Sequence, residues 1–219
     1  MIEALDKDMA LYEQVYSILR DRIIHLEYIP GSFLTEASVA NEMGISRMPV
    51  RVAMRKLENE GWLIADFRKK IKVREITARD VKEIYQLRKL LEVTGLKAIF
   101  DNDWTWEYSF RIEEIVVRVR AAQYDPYKWE LHDTEFHMEI IKALDNERIE
   151  QIYRNNQDER IRIGLFSEKP PTHVQSVIKG MYEFVEAMRN KNYEASYEIL
   201  NKEHLEDGLA LALEKITKV

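Results

Sequence analysis

The segment TEASVANEMGISRMPVRVAMRKLENEG, residues 35–61, predicts two short helices joined by a tight turn. Thr35 is a residue type that caps the start of a helix, and Gly44 is a type that ends one, since glycine adopts a left-handed conformation at little cost. Ser46 is the predicted cap of the second helix. Pro49 falls in the first turn of that helix, where a missing N–H is tolerated.

The second helix of this pair has two chemically different faces. Apolar residues at helical spacing predict a buried face. Arginines at every fourth residue predict an exposed cationic face, which suits the DNA major groove because guanidinium groups reach phosphates and guanine edges. A solvated charged face is the alternative, and the capped turn, the proline and the strand-like segment that follows favour DNA. The apolar face comprises Val50, Ala53, Met54 and Leu57, and the cationic face comprises Arg47, Arg51 and Arg55.

A basic β-hairpin is predicted immediately after the helix pair. Two β-prone segments, residues 62–67 and 71–76, flank Arg68, Lys69 and Lys70. A hairpin tip with three positive charges suits contact with phosphates or with the minor groove of DNA. Before the helix pair, the pattern predicts a supporting amphipathic helix over residues 9–27 and a turn over residues 28–34.

These segments resemble the DNA-binding domain of a known family of regulators. GISRMPVRVAMRKLENEGWL resembles the winged helix-turn-helix signature of the GntR regulators, and YIPGSFLTEASVANEMG resembles that family's loop and first helix. Met48 stands where many members carry threonine, and the wing tip lacks the glycine that is frequent there. The resemblance spans roughly residues 10–75 and implies DNA contacts from Thr35, Ser46, Arg47, Met48, Pro49, Arg51, Arg55, Arg68, Lys69 and Lys70.

Composition and charge limit the class of protein. The 219 residues contain no cysteine, which excludes disulfides and cysteine-ligated metals. The N-terminus lacks the regions of a signal peptide, and no apolar run approaches the roughly 18 residues of a membrane span, so a soluble, cytoplasmic protein is expected. The net charge of −6 includes a basic segment, residues 47–74, with nine basic and three acidic side chains. A local basic patch on an acidic chain is typical of a modular DNA binder.

The rest of the chain is predicted to be helical. Thr77 and Asp80 have the spacing of a capping pair, and the domain boundary expected here gives domains of residues 1–76 and 77–219. Short breaks between helices predict an antiparallel bundle. The expected fold is mainly α, a winged helix-turn-helix with a small β-hairpin followed by an all-α bundle. The predicted helices of the bundle span residues 77–100, 103–123, 126–145, 147–166, 171–190 and 193–217.

Four polar residues of the predicted bundle have the character of metal ligands. Asp133 and His137 stand at i and i+4, so they share one helix face. His173 opens a later helix and His204 lies in the last one, so each can bring an imidazole to that pair. Three imidazoles and a carboxylate suit Zn²⁺ or a related divalent metal. An ordinary hydrogen bond between Asp133 and His137 is the alternative reading of the spacing.

Residues 78–215 resemble the FCD ligand-binding domain of the FadR-like branch of the GntR regulators. The resemblance is carried by YQLRKLLEVTGLKAI, DTEFHMEIIKALDN, THVQSVIKGM and EHLEDGL. It implies that Asp133, His137, His173 and His204 bind a divalent metal, Zn²⁺ first, with Ni²⁺, Mn²⁺ or Fe²⁺ as alternatives. It also implies that Arg88 faces the pocket of an anionic effector, whereas a salt bridge to Glu92 is the structural alternative. Arg160 and Arg162 are secondary candidates for the same role.

The sequence therefore predicts a ligand-responsive transcription factor rather than an enzyme. Its expected partners are operator DNA, a small carboxylate or sugar-acid effector and a second copy of the chain, with no membrane involved. A repressor is the expected sign of regulation. Two alternatives remain: the same DNA binder with a purely structural metal, and a metal-dependent hydrolytic enzyme, for which no general base or nucleophile constellation is evident near the ligands.

Overall fold

The computed structural model describes residues 10–65 and 70–217. The chain divides into two compact units, Met1–Ile76 and Thr77–Val219, called here the N-terminal unit and the helical unit. None of the helices in the described residues is long and apolar enough to cross a membrane.

In its described residues, the N-terminal unit combines three helices with a three-stranded antiparallel sheet. The central strand is β3, Ile71–Val73. Phe33 of β1, Phe33–Leu34, lies opposite Lys72, and Leu63 of β2, Leu63–Ala65, lies opposite Val73. Residues 33–34 form a strand where the sequence predicted a turn, because they pair with the free edge of β3. The described elements are α1 Leu11–Ile24, β1 Phe33–Leu34, α2 Glu36–Met43, α3 Arg47–Asn59, β2 Leu63–Ala65 and β3 Ile71–Val73.

The turn between α2 and α3 follows the predicted signals with one exception. The Thr35 side chain accepts a hydrogen bond from Ser38 N, and Gly44 ends α2 in the left-handed conformation with φ 66°. Ser46 holds the N-cap position of α3, but its side chain makes no capping hydrogen bond. Pro49 occupies the third helical position and removes one of the two N–H groups that an N-cap hydroxyl can bind, those of the second and third helical positions.

The core of the N-terminal unit confirms the predicted apolar face of α3. Val50, Ala53, Met54 and Leu57 are each at most 1% exposed. They pack with apolar residues of α1, α2 and the sheet into one cluster, which includes Val15, Leu19, Ile23, Val39 and Val73. Burial of this face leaves the opposite side of α3 at the surface.

The helical unit is a bundle whose elements follow the predicted helices with two corrections. The segment predicted as one helix over residues 147–166 is two helices that break at Asn156, whose side-chain amide donates to the Ile152 carbonyl. The segment predicted over residues 193–217 contains a π-helix. The elements are α4 Ala78–Asp101, α5 Thr105–Ala121, α6 Pro126–Lys142, α7 Glu147–Asn155, α8 Gln157–Phe166, α9 Pro171–Arg189, α10 Tyr193–Glu198, the π-helical segment Ile199–Glu206 and α11 Asp207–Thr217.

Two local features position the interior of the helical unit. Thr77 caps α4, and its side chain and that of Asp80 form the reciprocal pair that the sequence predicted. Further along α4, a Cβ at Gly95 would overlap the Ile140 carbonyl oxygen, so glycine permits α4 and α6 to approach closely. This close approach places the α4 side chains one and two turns before Gly95 against the polar side of α6.

Candidate metal centre and nucleic-acid surface

Three of the four predicted metal ligands meet inside the helical unit. Asp133 and His137 project from one face of α6, and His204 projects from the π-helical segment. The three side chains are 7%, 1% and 6% exposed, and their donor atoms all lie within 4.8 Å of one another. We call this group the Asp–His–His cluster.

A hydrogen bond and an ion-pair contact of His137 select the form of its imidazole ring. Arg88 Nη2 lies 2.7 Å from His137 Nε2, and since guanidinium can only donate, Nε2 is an acceptor. His137 Nδ1 lies 2.7 Å from Glu92 Oε2, so the ring proton faces this carboxylate. A carboxylate behind a histidine fixes its tautomer, and a metal bound at the other nitrogen, Nε2, would take the place of the Arg88 hydrogen bond.

His204 has a buried nitrogen with no partner. Its Nε2 makes no hydrogen bond to any residue that the structure describes, and the ring stacks on Phe136 at a centroid distance of 5.2 Å. Burial is the largest cause that lowers the pKa of His204 to about 3, so the ring is neutral at pH 7. A buried polar atom without a partner is costly, and a neutral imidazole nitrogen is a metal donor.

Asp133 stays ionised in spite of its burial. Burial acts to raise the pKa of this carboxyl, but His137 and the Arg160 guanidinium outweigh it and hold the pKa well below its usual range. Arg160 Nη1 lies 3.0 Å from Asp133 Oδ2, and Asp133 Oδ2 lies 3.6 Å from His137 Nε2. The cluster thus offers a carboxylate and two imidazoles, a donor set that fits Zn²⁺ or a related divalent metal.

His173, the fourth predicted ligand, lies outside the cluster but lines the same cavity. This cavity has a volume of about 30 Å³, and its wall includes Arg88 and all three members of the cluster. Burial and the nearby Lys169 charge lower the pKa of His173, which favours the neutral ring. The structure therefore places His173 on the wall of the candidate centre rather than among its closest donor atoms.

Arg88 forms the salt bridge to Glu92 that the sequence offered as the structural alternative, and it also lines the cavity beside the cluster. Its Nε donates to Glu92 Oε1 at 2.8 Å, and its Nη2 reaches His137, with Arg88 only 4% exposed. Burial raises the pKa of Glu92, but Arg88 and His137 outweigh it and lower that pKa to about 2, so the pair is fully ionised. Sequence reasoning named Glu92 only as a salt-bridge partner; its i+4 spacing from Arg88 gave no sign of the contact with His137.

Those predicted DNA-contacting residues that the structure describes are exposed or partly exposed on the N-terminal unit. Arg47, Arg51 and Arg55 are exposed, and Met48 is 64% exposed. Thr35 and Pro49 are partly buried, and Ser46 is exposed. Lys70 is exposed, with its Nζ 5.7 Å from the Phe33 ring centroid. Arg68 and Lys69 lie outside the described residues.

Arg51 is held in place by an acidic neighbour on α2. Its Nε lies 2.9 Å and its Nη2 2.8 Å from Glu36 Oε2, a two-pronged ion pair. Hydrogen bonds from Arg51 outweigh the effect of burial and lower the pKa of Glu36. The planar guanidinium of Arg51 is therefore oriented before any partner binds.

Comparison with known protein families gives two matches. Residues 11–73 match the bacterial regulatory proteins of the gntR family, and residues 83–207 match the FCD domain. The second match alone covers more than half of the chain.

Curated relatives are regulators of transcription. The chain is 27% identical over 195 residues to the uncharacterized HTH-type transcriptional regulator YdhC of Bacillus subtilis, covering 88% of this chain and 87% of the relative. It is 31% identical over 140 residues to the gluconate operon transcriptional repressor of the same organism, covering 63% of this chain and 56% of the relative.

Solved structures share the fold. A GntR transcriptional regulator from Rhodococcus sp. RHA1 superposes with a TM-score of 0.71 at 24% identity, covering 93% of this chain and 97% of the other. Escherichia coli McbR/YncC superposes with a TM-score of 0.66 at 19% identity, covering 94% of this chain and 99% of the other.

Proposed function

Because the chain belongs to the GntR family of bacterial regulatory proteins and carries an FCD domain, it is a DNA-binding transcriptional regulator, and we propose that it is a metal-containing repressor released by a small organic acid. The family and its relatives are transcriptional regulators and not enzymes. The single observation that supports metal binding is the buried Asp–His–His cluster with the unpartnered Nε2 of His204.

The N-terminal unit is proposed to read the operator through the exposed face of α3. Arg47, Arg51 and Arg55 enter the major groove, and exposed Met48 offers apolar contact to a base. The wing adds contacts to phosphates or to the minor groove. The full proposed set of DNA-contacting residues is Thr35, Ser46, Arg47, Met48, Pro49, Arg51, Arg55, Arg68, Lys69 and Lys70.

We expect Arg51→Ala to weaken operator binding by about 1–3 kcal/mol, because it removes an oriented guanidinium from the reading face. Fluorescence anisotropy at fixed salt, on DNA selected from a random pool by the unaltered protein, measures this change. Arg120→Ala, the same substitution at an exposed position of α5, is the matched control and should leave affinity unchanged. Equal affinities of the Arg51 variant and the unaltered protein would remove this residue from the readout.

The metal is proposed to be held by Asp133, His137 and His204, with His173 as a further ligand. A divalent metal bound there supplies positive charge that can coordinate an anionic oxygen of an effector. Glu92 keeps the His137 nitrogen turned to the cluster, and Arg88 adds a guanidinium able to pair with a carboxylate. Zn²⁺ is the first choice for this donor set, with Ni²⁺, Mn²⁺ and Fe²⁺ as alternatives.

We propose that the protein represses transcription as a homodimer. A relative is named a gluconate operon transcriptional repressor, which supports both the repressor sign and an organic acid as signal. Two copies of α3 suit half-sites one helical turn apart. Effector binding that favours one dimer geometry supplies a coupling of about 1–3 kcal/mol between effector and operator. We place this regulator in the cytoplasm, where its operator lies.

A purely structural metal is the competing function. It is favoured by the size of the cavity beside the cluster, about 30 Å³, which is roughly the volume that one water occupies in the liquid. An effector that reaches the cluster therefore needs space that this cavity does not provide.

A screen of organic acids against the zinc-loaded full chain separates the two functions. We expect at least one acid to raise the melting temperature and to weaken operator binding about 5–150-fold. A flat screen, with stabilisation by zinc retained, would eliminate the effector and leave the structural metal.

A further inference from the structure

A second cavity adjoins the candidate metal centre. It has a volume of about 350 Å³ and lies where the start of α6, the end of α8 and the start of α9 meet. Its wall is largely apolar. Its apolar members include Pro126, Trp129, Leu165, Pro171 and Val174, and the same wall also carries Gln123, Glu168 and Gln175. We call it the apolar pocket.

The apolar pocket and the small metal cavity share a wall of four residues. Trp129, Glu130, Gly164 and Lys169 line both cavities. Glu130 and Lys169 form an ion pair in this wall, with side chains that are 5% and 13% exposed. A Cβ at residue 164 would overlap the Glu130 carboxylate, so Gly164 makes room for the pair. The wall is thus a buried, closely packed partition.

The partition contains polar groups that can accept an anionic ligand. Lys169 Nζ contacts Glu130, lies 3.4 Å from the Gly164 carbonyl and stands 4.8 Å from the Trp129 ring centroid. The Lys169 ammonium group on this wall can form a charge-assisted hydrogen bond with a ligand carboxylate.

The sizes of the two cavities decide where an organic molecule fits. The metal cavity holds about 30 Å³, whereas the apolar pocket holds about 350 Å³. The larger volume falls within the range of roughly 300–1,000 Å³ that is typical of small-molecule sites.

We propose that the apolar pocket holds the body of an amphipathic carboxylic acid, whose carboxylate competes with Glu130 for Lys169 at the partition. This inference rests on the proposed function, because it names the class of its effector. An aliphatic or aromatic body matches the largely apolar wall, whereas a polyhydroxylated sugar acid would place most of its hydroxyl groups against apolar side chains, with polar partners only at the edge that carries residues such as Gln123, Glu168 and Gln175. Without the acid, the Glu130 carboxylate occupies the position beside Lys169 that the ligand carboxylate takes when it binds.

Calorimetry on the zinc-loaded full chain with 3-phenylpropionate as probe tests this site. We expect binding that is at least tenfold tighter than that of 3-phenylpropan-1-ol, which lacks the charge, and of gluconate, which lacks the apolar body. Val174→Trp fills the pocket from a wall residue that does not line the metal cavity, and should abolish binding of the probe. Val117→Trp, at a position 54% exposed on α5, is the matched control and should bind normally.

Two variants of the partition test the competition itself. Glu130→Gln removes the competing charge and should tighten binding of 3-phenylpropionate about tenfold. Glu130→Gln combined with Lys169→Met removes both charges, so that neither is left buried alone, and should weaken binding at least tenfold relative to Glu130→Gln. A merely structural ion pair would not give changes of opposite sign.

The outcomes separate this inference from the proposed function. Equal affinity of the Val174→Trp variant and the unaltered protein, or equal binding of the acid and the alcohol, would overturn the inference while the metal site stands. Loss of zinc binding would overturn the metal-containing part of the proposed function. In that case, 3-phenylpropionate binding to zinc-free protein, compared between the two tryptophan variants, still decides the inference.

Discussion

Replacing Glu92 with alanine is expected to lower the free energy of unfolding of the helical unit by about 3–5 kcal/mol. Glu92 is 0% exposed, accepts a hydrogen bond from Arg88 Nε and lies 2.7 Å from His137 Nδ1. Its loss leaves the Arg88 guanidinium buried without its counterion, and it also frees the His137 ring to change tautomer. A buried charge without a partner is among the few single changes that cost this much.

Urea unfolding of the full chain, followed by circular dichroism, measures this effect. Glu183→Ala is the matched control, because Glu183 is also the acidic member of an i,i+4 ion pair, but it is half exposed and should cost at most about 1 kcal/mol. Arg88→Met with Glu92→Leu removes both buried charges and should recover most of the lost stability. A cost for Glu92→Ala no larger than that of the control would show that Arg88 finds another partner.

Zinc is expected to stabilise the protein, and His204→Ala is expected to remove that stabilisation. At a zinc concentration 100 times the dissociation constant, binding raises the free energy of unfolding by about 2.7 kcal/mol. A 100-fold loss of affinity in the variant reduces this increment to about 0.4 kcal/mol. Each protein is compared with itself, with and without zinc. The loss of stability caused by the cavity that the missing imidazole leaves beside Phe136 is present in both measurements and therefore cancels.

His132→Ala is the matched control for this measurement. His132 is the neighbour of Asp133 on α6, but its ring contacts Glu135 and is only partly buried. The zinc increment should survive this substitution. Equal increments in the His204 variant and the control would exclude His204 as a ligand and remove the main support for the metal centre.

Features encoded within one or two turns of chain could be predicted from the sequence. The caps at Thr35 and Thr77, the stop at Gly44 and the apolar face of α3 each depend on residues a few positions apart. The shared face of Asp133 and His137 has the same origin, because it follows from their i,i+4 spacing. These features therefore needed no knowledge of how helices pack.

Features that depend on packing between distant segments were missed. The contact of Glu92 with His137 depends on the approach of α4 to α6 at Gly95, which hydrophobic patterning does not reveal. The partition formed by Glu130 and Lys169 joins residues 39 positions apart. The missing side-chain cap at Ser46 shows that prediction can also fail within one turn of helix. The sequence indicated both an N-cap at Ser46 and a proline in the first turn, but not that the proline removes an N–H that the cap would bind. The first two features depend on where the helices cross in three dimensions. The spacing of residues in the sequence does not contain this information.

The π-helical segment that carries His204 has a consequence for how this site is inherited. A π turn holds more residues than an α turn, and π turns inside α-helices frequently lie at functional sites. An α-helix turns the chain by about 100° per residue and a π-helix by less, so the direction of the His204 imidazole depends on this segment remaining π-helical. The chemistry at this position therefore depends on the type of helix as well as on the type of residue. Two related chains can both retain this histidine, and yet only the one that keeps the π-helical turn will point it at the cluster in the same way.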